Sequence, residues 1–261
     1  MVPDAARRAA GALADAAGLV VPVECAGCGR WDVALCPDCR ALLQARPERC
    51  EDDAPMLAGE WTGRPLPTWS LGPYRGPLRA IVLAWKTHRR QDIAPAVLAG
   101  AAEAARTWAG DADLRREIVG ARQVLVVPAP SGWRRRVARR LVVADLADAV
   151  GRGMARGLRE AAEPGPGRVL VVDVLRRRRG GAHQAGLGAR GRAANRAGTV
   201  VALAAPPAGA VVVLVDDVLT TGATLAASRA AVEQRGGRVA GALVLASTPA
   251  PGRAARATRR S

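Results

Sequence analysis

VVVLVDDVLTTGATLAASRAAV, residues 211–232, is the stretch on which the fold turns. Residues 211–215 are an unbroken apolar run rich in β-branched side chains. Such a run reads as a strand buried on both faces of a parallel sheet. Two adjacent carboxylates, Asp216 and Asp217, follow it. A turn of Thr220, Thr221, Gly222, Ala223 and Thr224 then leads into an alanine-rich helix. The turn is thereby placed at the C-terminal edge of a sheet and at a helix N-terminus. Unpaired backbone N–H groups and the helix dipole favour a phosphate there. Gly222 lets the backbone approach an anion closely. The hydroxyls of Thr220, Thr221 and Thr224 can donate to the same oxygens, and the two acids can accept from ribose hydroxyls. No Gly-Lys-Ser/Thr follows, so the segment is not a P-loop.

Three other short apolar runs match this strand: residues 123–127 (QVLVV), 169–174 (VLVVDV) and 239–246 (VAGALVLA). Between them lie helical patterns near 78–86, 93–108, 134–150 and 223–235. The alternation predicts an α/β fold with a doubly wound, mostly parallel sheet. The length of 261 residues allows one or two domains without disulfide staples. Residues 1–60 read as a helix at 4–18, a cysteine knuckle and a linker, the last because 48–63 turn acidic and rich in Pro and Gly. Residues 61–250 read as the α/β domain, and 251–261 as a disordered basic tail. The run of Arg176, Arg177, Arg178 and Arg179 reads as a mobile loop between a strand and a helix.

Cys25, Cys28, Cys36 and Cys39 form two CxxC pairs within fifteen residues. Each pair sets two sulfurs on one tight turn, and two pairs supply a tetrahedron. That spacing predicts a structural zinc site. Disulfides are the alternative, disfavoured by a cytosolic setting. The knuckle has little core of its own, so zinc removal is expected to unfold residues 20–45 and leave the remainder intact. Cys50 is left over as a bystander. His88 and His183 are isolated and read as surface or loop residues.

The net charge is +16, and Lys86 is the single lysine among 39 basic residues. Polyanionic partners and a solvated basic surface from biased composition both fit that charge. Phe is absent and only Tyr74 and six Trp supply aromatic area, so the core rests on Ala, Val and Leu. The longest apolar stretch, 200–215, is interrupted by Pro206 and Pro207 and runs into two aspartates. No membrane span is expected, and the reading is cytoplasmic.

VDDVLTTGAT resembles the 5-phosphoribosyl 1-pyrophosphate (PRPP) signature of type I phosphoribosyltransferases. Joined to an N-terminal cysteine knuckle, it is similar to the ComF family of competence-associated proteins. Three further segments carry the resemblance. Tyr74-Arg75-Gly76-Pro77-Leu78 leads to Leu83, Trp85 and Lys86. Val126 to Pro130 (VVPAP) is followed by Trp133-Arg134-Arg135-Arg136. Gln184 and Leu187 precede Arg192 and Asn195.

The resemblance implies a type I phosphoribosyltransferase fold and a Mg²⁺-dependent PRPP site. Asp216 and Asp217 would hold the ribose hydroxyls, and Thr220, Thr221, Gly222, Ala223 and Thr224 the 5′-phosphate. Pro128, Ala129, Pro130 and Ser131 would approach the pyrophosphate. Lys86 and residues 134–136 would neutralise it, although the arginines also fit a solvated face. Gln184, Arg192 and Asn195 would form a structural loop or cover the site. Relatives carry an RGFNQ-like stretch where this chain has RRLVVAD at 139–145. Two functions follow: phosphoribosyl transfer to an unidentified acceptor, or a non-catalytic adaptor in DNA uptake that meets single-stranded DNA or a helicase.

Overall fold

The structure is a computed structural model, and it describes residues 23–57, 64–130, 136–161, 165–178 and 200–249. Several expectations fall outside these residues: the helix at 4–18, linker residues 58–63, Ser131, the side chains of 134–136, Arg179, His183, Gln184, Leu187, Arg192, Asn195 and the tail.

The described chain forms α1 (Pro37–Leu42), β1 (Glu48–Arg49), β2 (Thr68–Ser70), α2 (Gly76–Lys86), α3 (Ala94–Trp108), α4 (Ala112–Ile118), β3 (Gln123–Pro128) and α5 (Arg136–Glu160). It continues through β4 (Arg168–Val171), β5 (Leu175–Arg177), β6 (Val200–Ala202), β7 (Ala210–Leu219), α6 (Ala223–Glu233) and β8 (Arg238–Ser247). Six strands make one sheet in the order β1-β2-β8-β7-β3-β4. Every pairing in it is parallel except β1 with β2. Strands β5 and β6 form a separate antiparallel ribbon. The α/β class and the mostly parallel sheet are therefore present.

Strand alternation splits the core into two layers. Val124, Val126, Val211, Val213, Val215, Leu243 and Leu245 pack with α2, α3 and α5. Leu125, Val127, Val212, Leu214, Ala242 and Val244 pack with α6 and with Leu175, Val200 and Ala202 of the ribbon. The central strands have both faces covered, which is why they read as continuous apolar runs. β4 departs from this. It ends the sheet and leaves Val171 37% exposed.

Two helices cross closely on the first face. A Cβ on Gly153 of α5 would meet the Ala102 carbonyl oxygen of α3, and one on Gly157 would meet that of Arg106. Small residues Ala101, Ala104 and Ala105 complete the contact. Glycine there lets the backbones of α3 and α5 approach closely.

The stretch expected as a linker is structured over residues 48–57. β1 adds to the sheet, and short 3₁₀ turns at Glu51–Asp53 and Pro55–Leu57 follow. Cys50, Ala54 and Leu57 are buried in the second layer. The acids of the stretch help to anchor it as well: Glu51 accepts from the Thr68 N–H at 3.2 Å, and Asp53 accepts from the Ser247 hydroxyl at 3.1 Å. The knuckle also packs on the main core. Cys25, Leu35, Cys36, Cys39 and Leu43 share one cluster with Ile81, Trp85 and Val97. Among the described residues, no helix is long and apolar enough to cross a membrane.

Candidate functional site

The knuckle is built from two local turns. Cys25 donates its N–H to the Arg30 carbonyl at 2.7 Å, and Gly29 donates to the Cys25 carbonyl at 2.9 Å, with Gly29 at φ +78°. Cys36 then opens α1, with Pro37 at its first turn, where a missing N–H costs nothing. The four sulfurs lie within 4.8 Å of one another. Cys28 Sγ and Cys36 Sγ are 3.6 Å apart, close to the roughly 3.8 Å edge of a tetrahedron with Zn–S bonds of about 2.3 Å. Burial alone would push the Cys25 thiol up. Backbone N–H groups of Cys28, Cys36 and Gly27 nevertheless bring it down to about 6. The donor set and its spacing are suited to hold a zinc ion.

The knuckle is seated against α2 and the turn that follows it. A Cβ on Gly27 would lie 2.6 Å from Cys39 Sγ and 3.1 Å from Ile81 Cδ1. The Arg90 guanidinium donates to the Glu24 carbonyl at 2.7 Å and the Ala34 carbonyl at 3.3 Å. Asp92 holds the same guanidinium at 2.7 Å.

The same helix delivers Lys86 to a cleft of about 270 Å³ at the C-terminal edge of the sheet. Its lining includes Tyr74, Ala129, Pro130, Val142, Val143, Arg177, Asp216, Asp217, Thr220 and Thr224. The two acids do not follow the strand, as expected from the sequence; they belong to it. β7 continues to Leu219 because β8 keeps pairing with it, Asp216 opposite Val244 and Leu219 opposite Ser247. The pleat turns Asp217 toward the layer of 211, 213 and 215, where α2 lies, and Asp216 toward the opposite layer. Lys86 Nζ stands 2.6 Å from Asp217 Oδ2, both largely shielded from solvent. Asp216 Oδ1 accepts from the Asp217 N–H at 2.8 Å. Burial at the cleft floor first, and the Asp217 carboxylate second, push the Asp216 carboxyl up to about 7. The Asp217 N–H, Lys86 and Arg177 work in the opposite direction.

The cleft gathers Lys86, Ala129, Pro130, Asp216, Asp217, Thr220 and Thr224 as the sequence suggested. Pro128 ends β3 opposite Val215, and Ala129 donates to the Val215 carbonyl at 2.8 Å, which fixes the turn into the cleft. Thr221 does not line the cleft. Its hydroxyl accepts from the Ala223 N–H at 3.4 Å, while its carbonyl accepts from the Met56 N–H at 3.1 Å. Gly222 has a different reason from the one expected. It sits at φ +79°, and a Cβ there would meet Leu57 Cγ at 2.6 Å and Ala54 Cβ at 3.1 Å. Glycine is required by the left-handed turn and by the 3₁₀ segment packed behind it. Ala223 is the first residue of α6.

Arg177, Val142 and Val143 were not legible as cleft residues. Arg177 ends β5, donates through Nε to the Pro130 carbonyl at 3.1 Å, and through Nη2 to Thr224 Oγ1 at 3.1 Å. Nothing in a run of four arginines marks which one turns inward. Val142 and Val143 lie on α5, within the RRLVVAD stretch at 139–145, and they make that wall apolar. His88 lies outside the cleft in a left-handed turn, with Nδ1 2.6 Å from Gln91 Nε2. Cys50 lies apart from the four-cysteine cluster, its thiol pushed up to about 12 by burial.

No protein-family model matches this chain, and no curated protein matches it either.

Proposed function

We propose that the chain binds PRPP together with Mg²⁺ in this cleft, as a ComF-like protein of the type I phosphoribosyltransferase kind. We further propose that it transfers the phosphoribosyl group to an acceptor. The observation that carries the reading is convergence: both acids, Lys86, Thr220, Thr224 and the Ala129–Pro130 turn surround one cavity at a strand's C-terminal end. Ligands of open α/β sheets bind at that edge.

In this reading Asp216 and Asp217 accept hydrogen bonds from the ribose hydroxyls. The loop 220–224 and the N-terminus of α6 hold the 5′-phosphate. The Ala129–Pro130 turn borders the pyrophosphate. Mg²⁺, arriving with the substrate, supplies charge neutralisation on the leaving group. The bond from ribose C1 to pyrophosphate breaks as an acceptor atom bonds to C1. The protein contributes positioning and electrostatics. Lys86 is paired with Asp217 and so fixes that carboxylate as an acceptor. The knuckle would take a structural zinc ion and hold α2 in place.

The charge of +16 does not carry the reading, because many arginines are committed locally. Arg49, Arg90, Arg106, Arg176 and Arg229 all bond carboxylates.

The test is calorimetric titration of zinc-loaded protein with PRPP and Mg²⁺. Saturable binding is expected, and it should vanish in the Asp216→Asn, Asp217→Asn double variant while the far-UV spectrum stays unchanged. Absence of binding to the wild type would overturn the reading and favour the DNA-uptake adaptor.

A further inference from the structure

We infer that Arg177 captures the monophosphate end of the ligand, acting with Thr224 as one anion-binding unit. The inference rests on the reading just given. Among the described residues, Lys86, Arg176 and Arg177 have distinct commitments. Lys86 is held by Asp217. Arg176, next in the chain, turns away to the side chain and carbonyl of Asp173. Arg177 bonds two neutral acceptors, the Pro130 carbonyl and the Thr224 hydroxyl. Among the described residues no carboxylate bonds it; Asp216 feels its charge across the cleft, and it lines the cavity.

The direction of the Thr224 bond matters. A guanidinium has donors only, so Thr224 Oγ1 must accept from it. The hydroxyl proton is then left to donate elsewhere. Thr224 sits in the first turn of α6, at the loop that would cradle a phosphate. A phosphomonoester dianion there would receive the hydroxyl proton, the loop N–H groups and the nearby guanidinium charge. Arg177 also ties that loop to the Pro130 turn, so the two walls are joined by one side chain. Backbone position supports the role. Arg177 lies opposite Val200 in the β5–β6 ribbon, whose Leu175, Val200 and Ala202 are buried in the core. The guanidinium is thus presented from an anchored strand.

The probes are ribose 5-phosphate, which has only the monophosphate end, Mg²⁺–pyrophosphate, which has only the other, and PRPP with Mg²⁺. Binding of each is measured calorimetrically for the wild type, Arg177→Ala and Arg177→Lys. Loss of one charge-assisted bond is expected to weaken ribose 5-phosphate and PRPP by about 10–100-fold. Pyrophosphate affinity should fall by less, since Arg177 reaches that end only through the Pro130 carbonyl. Arg177→Lys keeps the charge and the strand but cannot hold both acceptors, so it should fall between the two. In Thr224→Val the further loss from Arg177→Ala should be smaller than in the wild type. A loss confined to pyrophosphate overturns the inference. So does unchanged ribose 5-phosphate affinity in both variants while the wild type binds. Absence of all binding to the wild type overturns the underlying reading and this inference together.

Discussion

The knuckle and the cleft share helix α2 but are assembled in opposite ways. The four sulfurs come from fifteen consecutive residues, and two short turns bring them within 4.8 Å. The cleft draws its walls from residues spread between Tyr74 and Thr224. Neither Lys86 nor Asp217 has a local reason to find the other. Their 2.6 Å contact exists because β7 lies centrally in the sheet and α2 lies on its first face. A local spacing can encode a metal site, whereas a cleft of this kind has to wait for strand order. The comparison also shows dependence: Ile81 touches the knuckle and Lys86, five residues on, touches the cleft.

That dependence can be broken at the metal. Cys39→Ser removes a buried donor. It should abolish the folding free energy that zinc contributes to the knuckle, on the order of 10 kcal/mol in isolated zinc modules. Zinc content should drop, and amide exchange should accelerate in residues 23–47 and also in α2. Unchanged protection of α2 would make the knuckle an independent unit, as its sequence alone suggested.

The bed beneath both regions is the α3–α5 crossing. Leu43 of the knuckle lies against Gly100 of α3, while α5 carries Val142 and Val143. Gly153→Val would force the helices apart at the Ala102 carbonyl. It should cost about 3 kcal/mol, read from chemical denaturation. A neutral result would mean that the crossing relaxes freely.

Gly222→Ala sharpens the cleft side. The left-handed φ and the Leu57 contact together predict a loss of about 1–2 kcal/mol. PRPP affinity should fall with it, because the loop must move off the 3₁₀ segment. Leu57→Ala in the same background should restore part of the affinity by opening that space. No recovery would place the strain in the backbone alone.

A pH-dependent effect concerns Asp216. Its folded carboxyl titrates near 7, above the roughly 4 of an unfolded aspartate. The fold therefore prefers the protonated form. Stability should decline as pH rises from about 4 through 7, with Asp217, Lys86 and Arg177 setting the residual field. Asp216→Asn should raise Tm by a few degrees at pH 8 and much less at pH 4.5. A uniform shift at both pH values would exclude this carboxyl as the source.

Much of this molecule was legible before its structure. The central strands announced themselves because a doubly covered parallel strand has no polar face to interrupt it. The first and third cysteine spacings needed only turn geometry. The region 48–57 misled because its acids dominate composition, although Cys50, Ala54 and Leu57 seat it in the core. Arg177 was invisible for a related reason: in a run of four identical side chains, only the strand pairing separates Arg176 from Arg177.

By itself, then, the sequence determined the α/β class, the four-cysteine cluster and the acid-threonine loop, all of which depend on neighbours within about twenty residues. Tertiary structure alone decided that Asp216 and Asp217 stay within β7, that Lys86 meets Asp217, that Gly222 accommodates Leu57, and that Arg177 reaches Thr224. Each of these is a contact between residues far apart in the chain. It arises when strand order and helix packing bring their backbones together, and no local propensity specifies that.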